Sequence, residues 1–259
     1  MTITILTENV AGGTLAAEHG LSYLIEHDNK KILWDTGHSD VFLRNAEKLN
    51  INLDEVETVV LSHGHWDHGN GLKHLKGKVL LTHPNSFIKR FRKGGTENIG
   101  LDLSLEDLEE NFKIIKTKSP YSITDKIIFL GEIPRVNSFE STLTTFVDEN
   151  GHDDFVIDDS ALAVIVDDEL VVVSGCSHSG ICNIVEYAKN VTGITKVKTV
   201  FGGFHLKEHN NQTKETINYF KKNNISKIHP SHCTELPALA AFYGEFNIKQ
   251  VKTGMVYNL

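Results

Sequence analysis

The stretch that decides how this chain folds is Thr58–Gly71, TVVLSHGHWDHGNG. A β-branched apolar run ends at Ser62, His63, His65, Asp67 and His68 follow within six positions, and a Gly-rich turn closes the segment. Such a run bounded by small polar residues reads as a buried strand opening into a loop. Imidazole and carboxylate together suit a borderline divalent ion such as Zn²⁺, and also Fe or Mn. Alternate side chains of an extended loop point the same way, so His63 and His65 can reach one metal. Asp67 and His68 are displaced from that line and can serve a second. A pair of metals can share a hydroxide, bring its pKa towards neutrality and stabilise the charge that develops on attack. A polar loop of unrelated histidines is the weaker reading, because four ligand-type residues crowd directly behind an apolar strand.

Outward from the motif, short strands are expected at Ile3–Leu6, Leu21–His27, Lys31–Trp34, Thr58–Leu61 and Val79–Thr82. Later ones are expected at Ile127–Leu130, Leu162–Val166, Leu170–Val173, Val197–Phe201, Lys227–His229 and Ile248–Val251. Helical spacing fits Val41–Leu49, Ile181–Val191, Thr213–Asn223 and Leu236–Tyr243. Strands alternate with helices in both halves, which argues for α/β layers. The halves also resemble each other: Leu21–His65 aligns with Ala161–His205 at a constant offset of 140 residues. His38 falls on His178 and His65 on His205. A duplicated unit of this kind predicts a four-layer αββα sandwich, one domain over residues 1–259, with the histidine loops along one edge. Any two strand–turn–strand–helix–strand units would share some of this likeness. Pro84–Glu140 breaks the pattern and reads as an insertion that could cover the site.

The bulk numbers agree with a globular protein. Of 259 residues, 40% are hydrophobic and 23% charged, too apolar for a disordered chain. The net charge of -8 disfavours general binding to nucleic acid or anionic membrane. No apolar run approaches the roughly 20 residues that cross a bilayer, and the N-terminus lacks a signal-peptide pattern. Cys176, Cys182 and Cys233 are odd in number and without paired spacing, which points to a reducing cytoplasm. Oligomeric state is not legible.

The H-x-H-x-D-H string resembles that of the metallo-β-lactamase superfamily, and the likeness continues along most of the chain. Lys31–Gly37, KILWDTG, is similar to the strand ending in Asp-Thr-Gly that precedes the metal motif there. The resemblance implies that Asp35 orients a ligand histidine from behind; a plain turn-forming Asp before Gly is the alternative. It also implies a further histidine and often a bridging aspartate from later strand ends. In VVVSGCSHSG (Val171–Gly180) that makes His178 the third ligand of the first metal. Cys176 stands about where the aspartate is expected, as a bridging thiolate or a small buried bystander, and Asp158 or Asp159 could also contribute. In KIHPSHCTE (Lys227–Glu235) the resemblance makes His232 the last ligand and leaves His229 within the strand. His205, in FGGFHL, reads as a proton donor or substrate contact, or as a structural residue.

SGCSHSGICN, GGFHL, SHCTE and GEIPR together are similar to a narrower subgroup, the 7,8-dihydropterin-6-methyl-4-(β-D-ribofuranosyl)aminobenzene-5′-phosphate synthases. That implies a phosphate on an aromatic or pterin-like body. Arg135 in GEIPR is the first candidate to hold it. Lys89, Arg90, Arg92 and Lys93 form a second, for which a solvated basic turn is the stronger reading; if they hold phosphate, Phe91 between them packs the insertion onto the core.

The expectation is therefore a metal-dependent hydrolase or hydrolase-like enzyme with two divalent ions and a small phosphate-bearing substrate. A di-iron redox enzyme, a nuclease and a non-catalytic metal- or ligand-binding module are the rivals. The acidic balance weighs against the nuclease, and Asp67 beside the histidines weighs towards chemistry.

Overall fold

A computed structural model describes all 259 residues of the protein. They group into two compact units. The first comprises Met1–Lys118, Thr144–Asp154 and Lys252–Leu259, and the second Ser119–Leu143 and Phe155–Val251.

In chain order the first unit contains β1 (Thr2–Thr7), β2 (Ser22–His27), β3 (Lys30–Trp34), α1 (Val41–Lys48), β4 (Thr58–Val60), α2 (Trp66–Gly69), β5 (Lys78–Thr82), β6 (Arg90–Arg92), α3 (Leu105–Glu109) and β7 (Phe112–Lys116). The second unit begins with β8 (Tyr121–Thr124) and β9 (Ile127–Phe129). The chain returns to the first for β10 (Phe146–Asp148) and β11 (Asp153–Asp154). The second unit then continues with β12 (Ala161–Val166), β13 (Glu169–Ser174), α4 (Ile181–Thr192), β14 (Val197–Gly203), α5 (Asn211–Lys222), β15 (Ile228–Ser231) and α6 (Leu236–Phe246). The last strand, β16 (Val256–Asn258), belongs to the first unit.

The first unit's main sheet has the order β16-β1-β2-β3-β4-β5-β7, beside a small sheet β11-β10-β6. Helix α1 turns Val41, Phe42, Asn45 and Ala46 inward, one stripe of a 3.6-residue period. They join a core with Leu24, Leu33, Val59 and Leu80. Buried Asn45 is satisfied by the carbonyls of Leu6 at 2.8 Å and Ala16 at 2.9 Å, so the helix also pins the loop before β2. The second unit's sheet has the order β15-β14-β13-β12-β9-β8. Its core includes Phe204, Phe220 and Phe242, with Phe204 5.8 Å from Phe220 and 5.7 Å from Phe242 between ring centroids. Ring pairs of this kind add about 0.5–1.5 kcal/mol beyond area burial. They anchor the residue directly before His205.

The internal repeat is present in the topology. β2-β3 and β12-β13 are antiparallel, and β3-β4-β5 and β13-β14-β15 are parallel. The residue-by-residue offset is corrected in one place. A register irregularity lies between Leu170 and Val171, so Leu33 faces Val59 but Val173 faces Phe201. Paired residues are 26 apart in β3-β4, 27 apart at Leu170–Val197 and 28 apart from Val171 onward. One of the two extra residues thus enters at the irregularity and one before it, and His205 stands where His63 stands, not where His65 does.

Three further expectations are corrected. Ile248–Val251 forms no strand. The segment 84–140 supplies β7 to one main sheet and β8 and β9 to the other, so it is woven into both units. β9 coincides with the strand expected at Ile127–Leu130, whereas β7, FKIIK, is short and bears two lysines, which hid it from a hydrophobic-period reading. Within it, Glu140 is buried and accepts hydrogen bonds from the backbone N–H groups of Cys182 and Asn183, both at 2.9 Å. A carboxylate there satisfies the open N–H groups and dipole at the start of α4. The third correction concerns Arg90, which the basic-turn reading left in solvent. It is fully buried, with Nε 3.0 Å from Asp154 Oδ2 and Nη2 donating to the Asn85 carbonyl at 3.3 Å. That guanidinium ties β6 to β11.

Candidate metal centre

In the first unit the chemistry gathers at the carboxyl ends of parallel strands, where open α/β sheets generally bind ligands. Asp35 follows β3, with φ at 56°, a left-handed conformation that few non-glycine residues adopt. Its Oδ1 accepts from Ser62 N at 2.7 Å, and its Oδ2 from Ser62 Oγ at 2.7 Å. The same Oδ2 lies 2.7 Å from His68 Nδ1. His68 thus gives its Nδ1–H to Asp35 and keeps a lone pair on Nε2. Ser62 Oγ also lies 2.9 Å from His63 Nδ1. Because the hydroxyl proton goes to Asp35, the oxygen accepts from His63, and that ring too keeps its Nε2 lone pair.

His63 Nε2 is 2.9 Å from His65 Nδ1. Two nitrogens on one tetrahedral zinc stand about 3.3 Å apart, given Zn–N bonds of 2.0–2.1 Å. Burial, together with the neighbouring His68 and His65, holds the His63 pKa well below its usual value. A neutral imidazole is the form that binds a metal. The donor set and its protonation therefore fit a divalent ion. Gly64 is required between the two histidines, because a Cβ there would stand 1.8 Å from the Ser86 carbonyl oxygen. Asp67 and His68 lie on the one-turn α2, so they leave the line of His63 and His65 as the motif suggested.

His19 escaped the sequence reading. Its Nε2 is 3.1 Å from Asp67 Oδ2, and its ring lies 5.4 Å from Trp66. His38 packs on Trp66 at 4.7 Å. The only signal for His19 was a histidine in a polar loop, which carries no periodicity.

The second unit gathers its own group at the ends of β13, β14 and β15. The rings of His178 and His205 are 4.3 Å apart. Asp159 fixes the turn that bears His178 by accepting from Ser179 N at 2.9 Å and from Ser179 Oγ. Burial pushes the Asp159 pKa up to about 6. Ser177, His205 and His232 all have positive φ, of 57°, 49° and 52°. Cys176, His205 and Cys233 bring their ligand atoms within 4.8 Å of one another. Burial raises the Cys233 thiol pKa, but hydrogen bonds with Cys176 and His205 outweigh it and hold the thiol well below its usual value. Cys233 was not singled out from the sequence, where it is one residue of a histidine-led turn.

His229 lies within β15, as expected, stacked on Phe201 with ring centroids 4.1 Å apart. Burial, aided by Lys227, lowers its pKa from 6.5 to about 4. An unfolded chain takes up this proton near pH 6.5 and the folded chain near 4, so the contribution to stability is lost as pH falls across that window. His229→Phe keeps the stacking and removes the titration. The melting-temperature difference between this variant and wild type should shift in the variant's favour from pH 6.5 down to 4. A difference that does not change with pH would refute the assignment.

Arg135 is half-buried. Its Nε donates to Ser141 Oγ at 2.8 Å and its Nη2 to the Phe155 carbonyl at 2.6 Å. Arg92 is exposed, with its guanidinium 5.9 Å from the centre of the Phe146 ring.

Comparison with known proteins adds three findings. A family model described as the metallo-beta-lactamase superfamily matches residues 16–83. In Methanocaldococcus jannaschii, a 7,8-dihydropterin-6-methyl-4-(beta-D-ribofuranosyl)-aminobenzene-5'-phosphate synthase is 35% identical, over 94% of this chain and 91% of its own. An uncharacterized protein of the same organism is 36% identical over 92% of each chain. Among solved structures, a metal-dependent hydrolase of the beta-lactamase superfamily superposes with a TM-score of 0.89 at 29% identity, covering 100% of this chain and 99% of its own. A diphosphatase of the PhnP family, at 12% identity, 100% and 97% coverage and a TM-score of 0.58, shares the fold.

Proposed function

This chain belongs to the metallo-β-lactamase superfamily and has its αββα fold, and on that premise we propose a metal-dependent enzyme that acts on a small, phosphate-bearing, pterin-like molecule. The observation that carries the reading is the set His63, His65 and His68, buried with Asp67, in which Ser62 holds the His63 ring and Asp35 the His68 ring in ligand-ready tautomers.

In this reading His63 and His65 hold one ion and Asp67 and His68 another, with His178 and His232 as further ligands. When bound, the ions supply Lewis acidity and make water acidic enough to attack near neutral pH. Asp67 offers a carboxylate that orients the attacking group. Arg135, and Arg92 from its exposed position, are the phosphate contacts. The substrate class rests on the named M. jannaschii relative. Because that relative is named a synthase, the reading covers transfer to an acceptor other than water as well as hydrolysis.

The test follows consumption of substrate rather than release of one product. Protein stripped with a chelator and protein reloaded with Zn²⁺, Mn²⁺ or Fe²⁺ are offered phosphorylated pterins and their phosphate-free analogues. Turnover is expected only with metal, and at least about tenfold faster for the phosphate-bearing form, since charge-assisted contacts contribute 1.5–3 kcal/mol. Equal rates would remove the phosphate from the reading. Metal-independent turnover, or none with any phosphorylated pterin, would remove the reading itself.

A further inference from the structure

We propose that Cys176, His205 and Cys233 form a sulfur-rich metal site at the strand ends of the second unit, taking one thiophilic divalent ion such as Zn²⁺. The proposal goes beyond the function proposed above, whose named ligands include none of the three.

The three residues come from three neighbouring strand ends. Cys176 follows β13, His205 follows β14 and Cys233 follows β15. Strands in a sheet lie about 4.8 Å apart, so the two outer ones are separated by roughly 10 Å. Their cysteines can meet only across the middle strand, and Gly203 at its end makes that possible. A Cβ on Gly203 would stand 2.5 Å from Cys233 Sγ and 3.3 Å from Cys176 Cα. The missing side chain is the space the thiol occupies. The arrangement is braced on all sides. Gly203 N donates to Gly175 O at 2.8 Å, Ser177 Oγ to Gly203 O at 2.6 Å, and Phe204 N to Thr234 Oγ1 at 2.9 Å.

The donor types choose the ligand. Two thiolates and one neutral imidazole balance the charge of a divalent ion, and soft sulfur selects zinc-like ions over Mg²⁺ or Ca²⁺. Sulfurs sharing one tetrahedral zinc lie about 3.8 Å apart, given Zn–S bonds of about 2.3 Å. A disulfide requires about 2.05 Å. The ligand atoms all lie within 4.8 Å of one another, a spacing from which three donors can converge on one ion. The third donor is an imidazole, which a disulfide has no use for. Three protein ligands leave a fourth position for water or an exogenous donor. His205 is then a ligand, not the proton donor that its strand-end position suggested.

The test loads metal-free protein with Co²⁺. Wild type should show a sulfur-to-cobalt charge-transfer band in the near ultraviolet. Cys176→Ser and Cys233→Ser should each lose it and one equivalent of cobalt, while His63→Ala keeps the band. Gly203→Ala retains both cysteines and should also weaken the band. X-ray absorption of zinc-loaded wild type needs no variant, and should show sulfur scattering at about 2.3 Å. No charge-transfer band and no sulfur scattering in wild type would overturn the site. So would a band that survives Cys233→Ser, or a purified chain whose mass shows the two thiols joined by loss of two hydrogens. These outcomes are independent of whether phosphorylated pterins are consumed, so the failure of one proposal is not the failure of the other.

Discussion

His63→Ala should remove one equivalent of metal and lower turnover at least about a thousandfold, on the scale of the several kcal/mol that a Lewis-acid ion contributes. The size follows from its position. His63 is fully buried, its Nδ1 is tied to Ser62 Oγ at 2.9 Å and its Nε2 faces His65 Nδ1 at 2.9 Å. Alanine leaves His65 without its partner in the ligand pair. The fold itself should survive. His63 has a pKa held well below normal by burial, so its imidazole is a neutral ring whose loss opens a cavity without stranding a charge. Metal analysis beside a steady-state assay distinguishes the possibilities. Two ions and full turnover in the variant would remove His63 from the centre.

Asp35→Ala should do damage of a different kind. One carboxylate serves Ser62 N, Ser62 Oγ and His68 Nδ1, each at 2.7 Å, with no exposure to water. Removing it strands buried donors, at about 1–3 kcal/mol for each one left unsatisfied. The loss in folding stability should therefore reach several kcal/mol. Asp35→Asn is the informative companion. It preserves volume and can still accept from Ser62, but its amide nitrogen faces His68. That reverses the tautomer of His68 and should weaken metal binding about 10–100-fold while costing less stability. Chemical unfolding and metal titration on the same samples separate the two effects. Equal metal affinity in wild type and Asp35→Asn would show that Asp35 only shapes the turn.

The sequence made the candidate ligands of the first unit legible and those of the second much less so. His63, His65, Asp67 and His68 are close in sequence, and an apolar strand points straight at them. His178 and His232 sit at strand ends far apart in the chain, and only a family likeness singled them out. His19 and Cys233 meet their partners through tertiary packing, which leaves no local pattern. The burial of Arg90 was missed for the same reason. A basic residue in a polar stretch reads as exposed, and its partner Asp154 lies more than sixty residues away. The repeat was visible as a pattern of elements, but one residue gained before β14 pairs and another at the irregularity within it moved His205 by two positions, and no residue type announces such a shift.

The course of the chain has a consequence for how the protein folds. β16 closes the edge of the first sheet by pairing with β1, and the whole of the second unit lies between the two in sequence. Until that long loop closes, β1 presents an open strand edge on which other chains can pair. The first unit is thus the one whose completion waits on a distant segment, although most of its strands are neighbours in the chain.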